Sequence, residues 1–150
     1  MRMRLPLAIS VIVFTALTGR ADGPAAVFKT GSELMAKLTA TAANPDMLTS
    51  PVSIEGRHRI NIVRRTKGAG AVAHEGAMEL HHIVSGSGTL VTGGTIVRPT
   101  GGNGVASIQN GVSRKVGPGD VVLVQAGEPH WYTDLTGPIT YLEVRWEEKP

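Results

Sequence analysis

The sequence predicts an all-β fold: a closed β-barrel or jelly roll preceded by one short helix. Three observations carry this. Past Pro51 the chain runs in short stretches rich in Val, Ile and Thr, which suit a pleated, half-buried surface. Glycine-rich pieces (GSG, TGG, GGNG, QNG, GPGD) separate those stretches and read as turns. No second helical pattern interrupts them, so alternating helix-and-strand architectures are disfavoured.

Taken in order, the chain begins with an export signal. Arg2 and Arg4 precede the apolar run LPLAISVIVFTAL, and the small residues Gly19 and Ala21 follow. That is the layout of a secretory signal peptide over residues 1–21, cleaved after Ala21. An apolar run of about a dozen residues is short for a membrane span, which needs about 20. The expectation is a secreted or periplasmic protein with no stable membrane anchor after cleavage. Arg2, Arg4 and Arg20 are three of the 15 basic residues, and 1–21 holds no acid; the remainder carries 12 basic against 12 acidic residues. This near-neutral balance argues against a nucleic-acid partner. The only basic run, RRTK at 64–67, has no aromatic neighbour to stack a base. There is no cysteine, and a chain of this length buries a core without disulfides.

Residues 22–50 read as a helix and its connection, with the helical pattern from Ala25 to about Ala43. Thr30 and Glu33 have capping-box spacing, Leu34 and Leu38 share a face, and NPD at 44–46 stops the helix. Residues 51–150 read as one barrel without repeat or linker. Its strands are RINIV, VAH, ELHHIV, GTLV, VASIQ, SRKVG, DVVLV, HWYT and ITYLEVRW.

Within that barrel, HEGAMELHHIVSGSG (74–88) gathers three of the five histidines and two glutamates. It is not a metalloprotease helix, because Met78 stands four residues after His74. GSGTLVTGG continues as a strand rather than opening a helix, so it is not a dinucleotide loop. A serine nucleophile lacks its elbow motif. Strand alternation puts Glu79, His81 and Ile83 on one face and Leu80, His82 and Val84 on the other. A buried carboxylate and imidazole are costly unless paired or metal-bound, so this face is either wet or holds a metal.

A second cluster, GPGDVVLVQAGEPHWY (117–132), combines a Gly-Asp turn, a buried strand, and a glycine three residues before a histidine. Together the two stretches resemble the paired motifs of the cupin superfamily, over roughly residues 60–146. His74 matches the second histidine of the first motif, Glu79 its glutamate and Gly86 its closing glycine. Gly119 and Asp120 match the Gly-Asp turn, and Gly127 and His130 the glycine and histidine of the second motif. Val72 stands where the family has its first histidine, and Gln125 where it has a proline. The resemblance implies a cupin-type β-barrel holding one metal ion per chain. His81, on the face of Glu79, is a candidate replacement for the missing imidazole, so the expected ligands are His74, His81, His130 and Glu79.

Imidazole donors suit copper, iron and zinc rather than magnesium or calcium. Copper is favoured for a three-histidine set outside the cytoplasm, with iron, manganese or zinc as alternatives. Glu79 and Tyr132, which shares the face of His130, are the expected catalytic side chains. The reading is an exported metal-dependent oxidoreductase acting on a small organic or carbohydrate substrate, including oxidative polysaccharide cleavage. Alternatives are a metal-assisted lyase or isomerase, or a non-enzymatic binding cupin. A homodimer is expected, through outward apolar positions such as Leu80 and Val84.

Overall fold

The computed structural model describes residues 26–40, 46–101 and 104–147; the export signal lies outside them. One helix, α1 (Gly31–Ala40), precedes ten strands: β1 (Met47–Glu55), β2 (His58–Arg65), β3 (Ala77–Ser85), β4 (Gly88–Thr92), β5 (Thr95–Val97), β6 (Ser107–Gln109), β7 (Val112–Val116), β8 (Val121–Val124), β9 (His130–Thr133) and β10 (Ile139–Glu147). The helix is shorter than its apolar pattern. It starts after Thr30, whose Oγ1 accepts from Glu33 N–H at 3.2 Å, while Glu33 Oε2 accepts from Thr30 N–H at 2.7 Å. This is the reciprocal capping box that the spacing predicts. Leu38 is fully buried.

All strand pairings are antiparallel. A five-stranded sheet runs β1-β2-β10-β3-β8 and a three-stranded sheet runs β7-β4-β9, with β5-β6 as a small ribbon. The core lies between the two larger sheets: Val63, Ile83, Leu90, Val116, Tyr132, Ile139 and Tyr141. This is the jelly-roll arrangement that the turn spacing predicts.

Two differences from the sequence reading stand out. The barrel begins before Pro51, because β1 starts at Met47 and pairs with β2 along its length. Pro51 hides this strand from a pattern search; it sits at an irregularity between Pro51 and Ser53 on an edge strand, where a missing N–H is tolerated. Conversely, VAH is not a strand. Only Val72 makes a bridge, with Val72 N–H donating to His130 C=O at 3.1 Å and His130 N–H donating to Val72 C=O at 2.8 Å.

Two glycines are needed for steric reasons. Gly86 has φ +77°, and a Cβ there would lie 2.1 Å from Pro138 O. Gly127 has φ +74°, with its Cβ position 3.0 Å from Glu75 Oε2. Gly127 N–H donates to His74 C=O at 3.0 Å, so this turn ties the loop of His74 to the loop that leads into His130.

Candidate metal centre

Strand β3 turns Glu79, His81 and Ile83 inward, each at most 1 % exposed, while His82 is exposed on the other face. β9 turns His130 and Tyr132 inward, and β10 does the same with Tyr141 and Glu143. Cross-strand pairing aligns Glu79 with Arg145 and His81 with Glu143. These rows border a cavity of about 390 Å³, near the small end of the usual range for small-molecule sites.

Glu79 is the hub. Its Oε1 lies 2.7 Å from Arg145 Nη2 and 3.3 Å from His74 Nε2. Its Oε2 lies 3.1 Å from His81 Nε2 and 3.7 Å from His130 Nε2. Burial works against ionising this carboxyl, but the His81 hydrogen bond and the charges of Arg145, His130 and His74 outweigh it. Its pKa therefore falls below the usual carboxylate value.

The donor atoms of His74, Glu79 and His130 all lie within 4.8 Å of one another. His130 is set up as a ligand. A carbonyl only accepts, so Nδ1–H donates to Glu128 C=O at 3.2 Å, leaving the Nε2 lone pair turned toward Glu79. Burial first, and then neighbouring imidazoles, holds the His130 pKa below its ordinary value, despite the opposing pull of Glu128 and Glu79. That favours the neutral, ligating form. Glu79 Oε1 is buried and has ion-pair neighbours but no well-angled hydrogen bond, as suits an oxygen that can also meet a cation. The residues present therefore fit one metal ion.

His81 does not join His74 and His130 in this set. With Glu79 ionised and able only to accept, His81 Nε2 carries the proton of that hydrogen bond. Its Nδ1 then accepts from the Tyr132 hydroxyl at 3.0 Å. Both ring nitrogens are engaged, and in this arrangement His81 braces Glu79. Its donor atom does lie close to Glu79 and Glu143.

Tyr132 lies behind the cavity wall. It shares the face of His130, as alternation predicts, but is 2 % exposed and stacks on Tyr141 at 5.1 Å. The cavity lining includes Tyr141 and not Tyr132. Burial, then the nearby Tyr141, raises the Tyr132 pKa far above a phenol's usual value, which keeps its hydroxyl a donor to His81. Trp131 points away and donates through Nε1 to Ala69 C=O. His82 and His58 are exposed and take no part.

Sequence reasoning did not single out Arg65 or Asn61, which border the cavity together with Glu143 and Arg145. Asn61 donates to Glu143 Oε1 at 2.9 Å, and Arg65 Nε donates to the Tyr141 hydroxyl at 3.0 Å. The alternation Tyr141, Glu143, Arg145 was legible as a pattern. It left open whether that face lines the barrel mouth or meets solvent, and the structure places it on the cavity.

No protein-family model and no curated protein matches the sequence. Solved structures do resemble it. TT1209 from Thermus thermophilus superposes with a TM-score of 0.58 at 17 % identity, covering 83 % of this chain and 100 % of that one. The cupin domain of Schizosaccharomyces pombe Cnp3 gives 0.53 at 9 % identity, covering 71 % and 66 %. The iron(II) form of HppE gives 0.54 at 13 % identity, covering 67 % and 51 %. The chain has the fold of the cupin superfamily.

Proposed function

We propose that this chain is a metal-dependent enzyme that acts oxidatively on a small organic molecule, with the ion held by His74, Glu79 and His130. The supporting observation is the convergence of two imidazoles and one carboxylate on a cavity inside the barrel. Two histidines and one carboxylate with open positions suit iron(II). The three-imidazole set that favours copper would require His81 to give up a hydrogen bond. Iron(II) therefore ranks ahead of copper, with manganese and zinc behind. Bound there, such an ion supplies oxygen activation and Lewis acidity. The chain's own contribution is positional: Arg145 and His81 hold the Glu79 carboxylate, and Glu128 C=O fixes the His130 tautomer. A cavity of about 390 Å³ suits a small molecule better than a polysaccharide chain.

A second reading rests on Glu143. Its buried carboxylate lines the cavity, anchored by Asn61, and is placed to carry a proton in a metal-assisted lyase or isomerase. Dependence of turnover on oxygen or peroxide separates the two readings. Export with cleavage after Ala21, and pairing of two copies through the outer sheet face, complete the proposal. Intact mass of the exported protein checks the first, and light scattering the second.

The test of the metal is elemental analysis of protein from its native compartment, followed by titration of metal-free protein with Fe(II), Cu(II), Mn(II) and Zn(II). Tight binding of one equivalent, lost in His130→Ala, is the expected result. Absence of any transition metal, with no binding on titration, overturns the reading.

A further inference from the structure

We infer that the cavity takes a substrate bearing a carboxylate, and that Arg65 receives it. This rests on the metal-enzyme reading for the word substrate; the anion subsite itself rests on Arg65 alone.

The argument starts from the charges that border the cavity. Two arginines line it. Arg145 is committed: its Nη2 lies 2.7 Å from Glu79 Oε1 and 3.7 Å from Glu143 Oε2. Those are the two buried carboxylates of the cavity wall, and both are thus matched. Arg65 has no carboxylate within ion-pair distance among the described residues. It is half-buried, and arginine keeps its charge at any working pH. A partly desolvated cation without an anion is less favourable than a paired one, and an anion from outside would supply the pair.

The guanidinium is also oriented for that task. Nε donates to the Tyr141 hydroxyl at 3.0 Å, and the carbon of the guanidinium lies 5.6 Å from the centre of the Tyr132 ring. These two aromatic contacts hold the group in place, and neither uses its two terminal nitrogens. Two parallel N–H donors match the two oxygens of a planar carboxylate. A single unmatched positive charge favours a monoanionic head over a doubly charged phosphate.

Strand register places the two ends of the cavity. Arg65 pairs with Ile139 on β10, whereas Arg145, beside Glu79, pairs with Arg59. Arg65 and the metal cluster therefore sit toward opposite ends of the β2–β10 pair, with the Tyr141 and His81 rings between them in contact at 4.7 Å. A carboxylate seated on Arg65 would leave the rest of a small molecule pointing toward His74, Glu79 and His130.

The experiment titrates metal-free protein with glutarate, with glutaramide and with inorganic phosphate, following the Arg65 Nε–H signal by NMR. Glutarate should shift that signal and glutaramide should not. Arg65→Gln should weaken glutarate binding by roughly 10- to 100-fold, the size of one lost charge-assisted pair. Arg65→Lys, which keeps the charge without the fork, should fall between. Equal binding of glutaramide, tighter binding of phosphate, or unchanged affinity in Arg65→Gln would each overturn the assignment. Because the titration needs no metal, its failure is separate from failure of the metal reading, which is scored by metal content. The wild-type NMR result stands even if Arg65→Gln does not fold.

Discussion

Strand β3 presents two opposite surfaces. Inward it carries Glu79 and His81, each 1 % exposed; outward it carries Leu80, His82 and Val84, the last 49 % exposed. Two ionisable side chains thus lie inside, between the buried Ala77 and Ile83, while apolar side chains lie outside. The inner row is tolerated because its polar groups find partners: Glu79 meets Arg145 and His81, and His81 meets Tyr132. The outer row continues onto β8, where Leu123 opposes Leu80 and Val121 opposes His82. Val121 and Leu123 are 60 % and 48 % exposed. Buried charge on this strand is thus a matter of networks, where removing one member strands the rest. Exposed apolar surface is a matter of area, where single residues count for little within the monomer.

The largest effect is expected at the hub. Glu79→Ala leaves Arg145 and His81 without their main partner and should cost about 3 kcal/mol in denaturant unfolding of metal-free protein, as for a broken buried pair. Metal binding should be lost as well. A stability equal to wild type would show that the inner network is not coupled.

Adjacent histidines on opposite faces sharpen the contrast. His81→Ala should weaken metal affinity by roughly 10- to 100-fold, as expected for a residue that orients a ligand, whereas His82→Ala should leave it unchanged. A loss in His81→Ala as large as in His130→Ala would instead make His81 a direct ligand and restore the three-imidazole set.

Acid should separate the faces too. The folded pKa of Glu79 lies below its ordinary value of 4.5. Its stabilising contribution is therefore fully present above that value and is lost as pH falls through the lowered folded value. Metal-free Glu79→Gln should lose less stability than wild type on going from neutral pH to below 4.5, measured by denaturant midpoints. Parallel curves would remove Glu79 from the acid response.

The smallest effect on the monomer is expected outside. Leu123→Lys should change unfolding free energy by no more than about 0.5 kcal/mol, as for a surface substitution. If two copies pair through this face, the same variant should convert dimer to monomer in light scattering. A dimer that survives it would move the interface elsewhere.

Strand alternation, glycine turns and the Thr30–Glu33 cap are local properties, and the sequence by itself determined them. Period-two alternation correctly put Glu79 and His81 on one face and His82 on the other. The spacing around Gly127 and His130 was legible for the same reason, because a positive-φ glycine and a strand start are written in neighbouring residues. β1 was not legible, since Pro51 breaks the strand signal and only pairing with β2 supplies the compensating hydrogen bonds. Tertiary structure alone decided the chemistry of the site. Tyr132 and Tyr141 read alike in sequence, yet the cavity borders Tyr141 and not Tyr132, whose hydroxyl meets His81. His81 could be a ligand or a brace by parity alone; the Tyr132 hydroxyl and the Glu79 carboxylate, brought from β9 and from its own strand, engage its two nitrogens. Arg145 is matched and Arg65 is not because of which strands pair with theirs. Local pattern specifies the direction a side chain points, whereas its charge partners come from distant strands, and those partners determine what it can do.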